Sequence, residues 1–413
     1  MVFKSVILGS LMAATTLSAS VKPQLVVFGN SLSDIGNIEN VTYAVPWWNG
    51  HFSTGPVWNE YLAYYNNYTL VNYAIGGATS NNTFVNLMTQ GNVTIPSVPD
   101  QITTYTGVFG GKYNASALAD DIAVIEIGAN DFLDGSLLLA ADKIDMTAFT
   151  DGVVSDIVNS LQSLITFGYR KLLVTDIPDV KVTPAILAFG ETGGSNIDEY
   201  VTTVNTKLTA ATQKLATDSG KNVDYIRVVS LYNILSVAAD KNVTDALGIT
   251  VVDKECYPVT TNKTLISSCD NPDQYVFADW IHPTTTVHAL AGAIFAEIID
   301  NGSFNYTEAN LLALIKEYNV TSAKSQTNFL YSSPDSAKTG KLVIDEYTIK
   351  QSIANAPALI KENNAASTNG TSGNSTSGNS TSTSSTTKPS GSSRNFVSTM
   401  IPVSLISLII FVI

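Results

Sequence analysis

Five short runs of consecutive apolar residues punctuate the chain: Gln24–Phe28 (QLVVF), Thr69–Ala74 (TLVNYA), Ile122–Ile127 (IAVIEI), Lys171–Ile177 (KLLVTDI) and Tyr225–Leu231 (YIRVVSL). Continuous rather than alternating Val, Ile and Leu suits strands covered on both faces, as in a parallel sheet. Longer segments between and after them repeat apolar residues every three or four positions, as helices do. Asp151–Phe167 and Asn196–Thr217 are two of these, and Pro283–Ile299 opens with a proline in its first turn. This alternation predicts a three-layer α/β/α sandwich around a central, mostly parallel five-stranded sheet with right-handed crossovers. Ligands of such sheets lie at the carboxyl ends of the strands.

The two ends of the 413-residue chain break the pattern. Residues 1–20 carry one Lys near the start, an apolar run from Val6 to Ala14 and small residues at Ala19 and Ser20, the layout of a secretory signal peptide. Residues 364–393 are almost wholly Ser, Thr, Gly and Asn, the composition of a glycosylated stalk. Residues 394–413 end in an apolar tail from Met400. Small residues, a polar spacer and a terminal apolar tail describe a glycolipid (GPI) attachment signal, with Ser390, Gly391 and Ser392 as candidate positions. The main α/β body is then 21–300, and 301–363 forms a C-terminal extension of helical character around Glu308–Tyr318 and Asp345–Lys361.

Composition narrows the possibilities. Thirteen Asn-X-Ser/Thr sequons fit a secreted glycoprotein. Cys256 and Cys269 fall in one short segment, where an oxidising compartment allows a local disulfide. Net charge is −13, from 35 acidic and 22 basic residues with no basic run, which disfavours nucleic acid as a partner. With three histidines and no cluster at ligand spacing, no metal site is expected.

The chemistry-bearing residues sit where strands end. The first run leads into Phe28-Gly29-Asn30-Ser31-Leu32-Ser33-Asp34, placing the Ser31 hydroxyl at a turn. A serine hydrolase needs a histidine to take and return the hydroxyl proton. His282 lies in Asp279-Trp280-Ile281-His282-Pro283, and an Asp three residues earlier can meet its Nδ1–H and fix the tautomer. His288, inside the following helix, reads as structural; His51 lies in an aromatic-rich loop. After the second run comes Gly76-Gly77-Ala78, and after the third Gly128-Ala129-Asn130-Asp131. The Gly76-Gly77 pair and Asn130, with the N–H of Ser31, are candidate donors to a developing oxyanion.

In this order and at these places, the residues resemble the GDSL or SGNH hydrolase family over roughly residues 24–300, in four blocks at Phe28–Asn37, Asn72–Ser80, Ile127–Phe132 and Asp279–Pro283. The resemblance implies a flavodoxin-like fold, Ser31 as nucleophile, Asp279 and His282 as its partners, an oxyanion hole of Ser31, Gly77 and Asn130, and no cofactor. The stretch Trp48–Trp58 is similar to a loop of fungal carbohydrate acetylesterases and of lecithinase-type haemolysins. It departs in one respect, because the family's Gly-Asp-Ser-Leu here reads Gly29-Asn30-Ser31-Leu32.

The expectation is therefore a monomeric, surface-displayed serine ester hydrolase, touching the membrane or cell wall only through its anchor. Its substrate is an acetylated sugar, with acyl lipids (a phospholipase or lipase activity) as the alternative. Trp48, His51, Phe52, Trp58 and Phe132 are the substrate-binding candidates, and the rings of Trp47, Trp48, Phe52, Trp58 and Phe132 could stack on a sugar or bound an acyl pocket. A non-catalytic GPI-anchored wall protein is the reading from another class.

Overall fold

The computed structural model describes residues 22–38, 45–114, 116–141, 143–188, 190–260 and 264–366. The leader and the anchor signal lie outside them, as does nearly all of the stalk.

Six parallel strands form the central sheet: β1 (Gln24–Gly29), β2 (Thr69–Asn72), β3 (Ile122–Glu126), β4 (Lys171–Thr175), β5 (Tyr225–Val229) and β8 (Glu346–Tyr347), ordered β5-β4-β3-β1-β2-β8. All five apolar runs became strands. The expected five-stranded sheet is corrected to six, because the C-terminal extension returns to pair Leu70 with Glu346 and Val71 with Tyr347. Nothing in Glu346–Tyr347 itself reads as a strand; the pairing edge of β2 makes it one.

Successive residues of a strand point to opposite faces, and β1 divides two cores in this way. Leu25 and Val27 pack with Trp58, Tyr61, Leu290, Ile294 and Phe295, from helices Trp58–Tyr65 and Thr285–Asn301. Val26 and Phe28 pack with Tyr105, Phe149, Val153 and Tyr200, from helices Val98–Phe109, Met146–Phe167 and Gly190–Ser219. The two layers complete the α/β/α sandwich. Because β1 has β2 on one side and β3 on the other, the chain turns in opposite directions at its carboxyl end, the place where such sheets bind ligands.

A small parallel pair, β6 (Val251–Glu255) and β7 (Tyr275–Phe277), stands apart and carries the chain towards Asp279. Cys256 and Cys269 form the expected disulfide between these strands. The extension packs on the body: Asn328 Nδ2 donates to Tyr61 Oη at 2.6 Å, and Asn363 Nδ2 to the buried Asp121 carboxylate at 2.7 Å. Among the described residues no helix is long and apolar enough to cross a membrane.

Candidate active site

Ser31 sits on the turn that ends β1, with 8 % of its surface exposed. The turn is built before it is packed: Ser33 N–H donates to Asn30 O at 3.0 Å, and Leu32 N–H to Asn30 Oδ1 at 3.0 Å. Buried Gln101 then clamps the strand end, accepting from Gly29 N–H and donating to Gly29 O, both at 2.9 Å. A side chain at position 29 would come within 2.4 Å of the Glu126 carbonyl, so only glycine lets β1 and β3 approach here.

Three buried carboxylates tie this turn to the neighbouring strand ends. Asp34 accepts from Gly36 and Asn37 N–H and, across to the loop after β2, from Gly76 N–H at 2.8 Å. Asp131, after β3, accepts from the backbone and hydroxyl of Ser80. Glu126, the last residue of β3, accepts from Asn30 Nδ2 at 3.0 Å and from Ser33 Oγ at 2.9 Å. Burial pushes Asp34 and Asp131 up to about 6 and Glu126 up to about 7, against the hydrogen bonds that favour their ionised forms.

The histidine arrives from the other direction. His282 Nε2 lies 2.8 Å from Ser31 Oγ. Its Nδ1 lies 2.8 and 3.0 Å from the two Asp279 oxygens. A ring nitrogen facing a carboxylate carries the proton, so Nε2 is left to accept from the Ser31 hydroxyl. Asp279 is fully buried, which favours its neutral form, yet the facing His282 ring and two backbone N–H donors (Ile281 and His282) hold its acid range below the ordinary value. Trp47 Nε1–H adds a third donor, 2.8 Å from Asp279 Oδ2. The rings of Phe52 and Trp47 flank the imidazole, with centroids 5.1 and 5.7 Å away. Gly76 makes room for Phe52, since a Cβ there would meet that ring at 2.4 Å.

The fold thus brings Ser31, Asp279 and His282 into one hydrogen-bonded chain. Asn130 faces the same cavity, and its Nδ2 donates to Ala78 O at 2.9 Å, leaving its second N–H free of that bond. Gly77, next to Ala78, holds φ at +81°, and its N–H and that of Ser31 meet no acceptor among the described residues. Such an arrangement can deprotonate a serine during attack and receive a negative oxygen beside it.

The substrate-binding candidates need correcting. Of the five, only Trp58 lines the cavity beside Ser31, and it is buried there, its Nε1–H donating to Ser33 Oγ at 3.1 Å. Phe52 packs on His282, and Phe132 turns into the core against Tyr200, centroids 4.9 Å apart. His51 is buried with Nε2 3.0 Å from Glu60 Oε1; burial disfavours its charge, but the Glu60 carboxylate outweighs that and raises its titration range. Trp48 is buried and gives its indole N–H to Ala337 O, and it does not line the cavity beside Ser31. Large aromatic side chains gain most by leaving water, and here the core takes them.

The cavity wall comes from residues that the sequence did not single out. Leu32, Leu133, Val180, Leu231, Ile234, Leu235, Ile281, Val287 and Ala291 supply an apolar lining, with Asn130, His282 and His288 among its polar points. His288 is more than a packed helix residue. Its Nδ1 accepts from Trp58 N–H at 3.3 Å, its Nε2 has no hydrogen-bond partner among the described residues, and burial pushes its titration down to about 3.

With this geometry in view, similarity to known proteins becomes specific. Residues 25–295 match the GDSL-like Lipase/Acylhydrolase family, and the chain belongs to it. It is 26 % identical over 293 residues to the thermolabile hemolysin of Vibrio parahaemolyticus serotype O3:K6, covering 67 % of this chain and 64 % of that protein. A GDSL esterase/lipase of Arabidopsis thaliana is 26 % identical over 202 residues, 46 % of this chain and 51 % of the relative. The chain therefore spans between about half and just under two thirds of these relatives' lengths. Among solved structures, an active-site mutant of a family two carbohydrate esterase from Clostridium thermocellum is 14 % identical, with a TM-score of 0.36 and coverage of 68 % and 65 %.

Proposed function

We propose that this protein hydrolyses carboxylic esters by a two-step acyl transfer, with an acyl chain of several carbons in the apolar cavity. The observation that carries this reading is the chain Asp279–His282–Ser31 opening onto that cavity. Ser31 Oγ attacks the ester carbonyl and its proton passes to His282 Nε2, while N–H groups of Ser31, Gly77 and Asn130 hold the oxyanion. The carbon–oxygen bond to the alcohol breaks, and the alcohol leaves with the proton from Nε2. Water then adds to the acyl-serine, giving a proton to Nε2, and the acid departs as the proton returns to Ser31.

Acyl lipids thereby move ahead of acetylated sugars as substrate. An acetyl group has no use for a lining of Leu, Ile and Val, and of the aromatic residues expected to stack on a sugar all but Trp47 are buried. The test is a chain-length series of p-nitrophenyl esters on the parent protein, Ser31→Ala and Leu235→Trp. Ser31→Ala abolishes turnover of every ester; equal turnover by that variant would sink the nucleophile assignment. Leu235→Trp fills the cavity and lowers the long-ester rate while sparing the acetate. Preference of the parent for acetate would return the sugar ester to first place.

Display at the cell surface through a glycolipid belongs to the same proposal. It is supported by the terminal segments, the disulfide, and the exposure of sequon residues Asn67, Asn92, Asn114, Asn242, Asn301, Asn305 and Asn319. Release from intact cells by a phosphatidylinositol-specific phospholipase C is the expected result; retention after that treatment would overturn it.

A further inference from the structure

Asn30 stands beside Ser31 where the family resemblance expects an acid, and the charge has not left the site. Gly29 on β1 and Glu126 on β3 are register partners, so the missing Cβ at position 29 leaves the Glu126 side chain room to reach across. Glu126 is 1 % exposed and meets only donors. Asn30 gives it the amide N–H of its side chain, while the Asn30 carbonyl oxygen Oδ1 is already occupied by Leu32 N–H. Ser33 gives it a hydroxyl hydrogen, since Ser33 Oγ is itself the acceptor for Trp58 Nε1–H. The Asn30 backbone N–H also points at it. The residues on both sides of Ser31 thus end on one carboxylate, with every hydrogen-bond direction determined.

We propose that Glu126 is the positioning residue for Ser31: its carboxylate, reaching in from β3, replaces an acid at position 30 and fixes the Asn30–Ser33 turn so that Ser31 Oγ meets His282. This inference rests on the reading of Ser31 as nucleophile. Charge also connects the two, because a proton on His282 favours the ionised form of Glu126. Glu126 does not line the cavity, so its loss acts on the turn rather than on substrate binding. The pair is reversible in principle. A carboxylate at position 30 with an amide at 126 makes the same bond with donor and acceptor exchanged, whereas two carboxylates at 3.0 Å oppose each other.

The experiment compares Glu126→Gln, Asn30→Asp and the double variant Asn30→Asp/Glu126→Gln with the parent. Measurements are kcat and KM on p-nitrophenyl butyrate, and Tm, with Ser31→Ala alongside. Glu126→Gln lowers kcat by about 10²-fold, as misplacement of a reacting group does, with KM within about twofold. Asn30→Asp falls at least as far, and the double variant recovers kcat to within about tenfold of the parent. Parental kcat in a folded Glu126→Gln would overturn the proposal. So would a double variant no faster than the slower single, and this arm stands even where a single variant fails to fold. Turnover by Ser31→Ala would instead overturn the nucleophile reading, whatever these ratios are.

Discussion

The two halves of the site are held by opposite means. The serine side is a junction of three parallel strand ends, where Asp34, Glu126 and Asp131 are buried and each bridges to a neighbouring turn. The histidine side is one loop, Ala278–Pro283, in which Asp279 accepts from its own backbone two and three residues on. Beyond itself that loop leans on an aromatic wall and on the disulfide segment: Cys256 N–H and Tyr257 N–H donate to Phe277 O and Ala278 O. A junction between strands is fixed by long-range burial of charge. This loop is fixed by its own short bonds, by single donors from Trp47, Ser53 and Ala185, and by the neighbouring disulfide segment. The first should therefore respond to pH and the second to deletion of single donors and to reduction.

The largest effect is expected at the loop's centre. Asp279→Asn keeps the shape but turns an amide towards His282 Nδ1, favouring the wrong tautomer. A loss of about 10⁴ in kcat is expected, with Tm little changed. A loss below tenfold would mean that Asp279 orients rather than charges the imidazole.

The serine side should show its carboxylates in stability. Glu126 is pushed up to about 7 and Asp34 and Asp131 to about 6, and away from this junction Asp121 (about 7, at the amino end of β3) and Asp176 (about 6, after β4) add to them, in each case by burial first. A folded-state value above the unfolded one means that the folded protein binds protons more tightly. Stability is then gained as pH falls through the folded values and fades as pH rises through them. Each group contributes up to about 1.4 kcal/mol per pH unit between its folded and unfolded values. His288, pushed down to about 3, opposes this below about pH 6.5, but it is one group against five. Thermal unfolding should thus give a higher Tm at about pH 5.5 than at about pH 8. A flat or reversed profile would show that these carboxylates are relaxed by water.

Legibility followed the same division. All five long strands were visible as apolar runs; β1 to β4 are covered on both faces, which leaves little choice of residue, while β5 is a half-buried edge strand that keeps an apolar run around Arg227. Ser31, Asp279 and His282 were visible because serine chemistry needs a histidine and only three were on offer. Glu126 left a faint trace, as the one charge in IAVIE, but its partner lies 96 residues away. The cavity wall left none: Leu133, Val180, Ile234 and Val287 look like any core residues until the fold gathers them. Aromatic residues misled for the converse reason, since a ring that suits a sugar suits a core equally.

Reduction should act on the histidine side alone. The disulfide closes a loop whose ends are 13 residues apart, and opening it costs about 3 kcal/mol by chain entropy. Cys256→Ser/Cys269→Ser should therefore lower Tm by several degrees and raise hydrogen exchange at Phe277–Asp279. The Gly29–Asp34 turn should keep its protection. Equal loosening of both segments would break the division between them.

The smallest effect separates ring from donor in the aromatic wall. Trp47 does two things: its ring lies edge-on to His282, and its Nε1–H is, among the described residues, the side-chain donor to Asp279 from outside the loop. Trp47→Phe keeps a ring against His282 and Phe52 but removes that donor. Asp279 retains the Ile281 and His282 backbone N–H groups and Nδ1–H, so the charge stays partnered. The loss should be about 1.5 kcal/mol, the low end for a hydrogen bond to a charged group, or roughly tenfold in kcat. Because the removed bond favours the ionised carboxylate, the loss should deepen in Asp279→Glu, where the acid is displaced, and vanish in Asp279→Asn, where no charge remains. A Trp47→Phe effect of the same size in the Asp279→Asn background would assign Trp47 to packing, and Asp279 would then be held by the loop's own bonds alone.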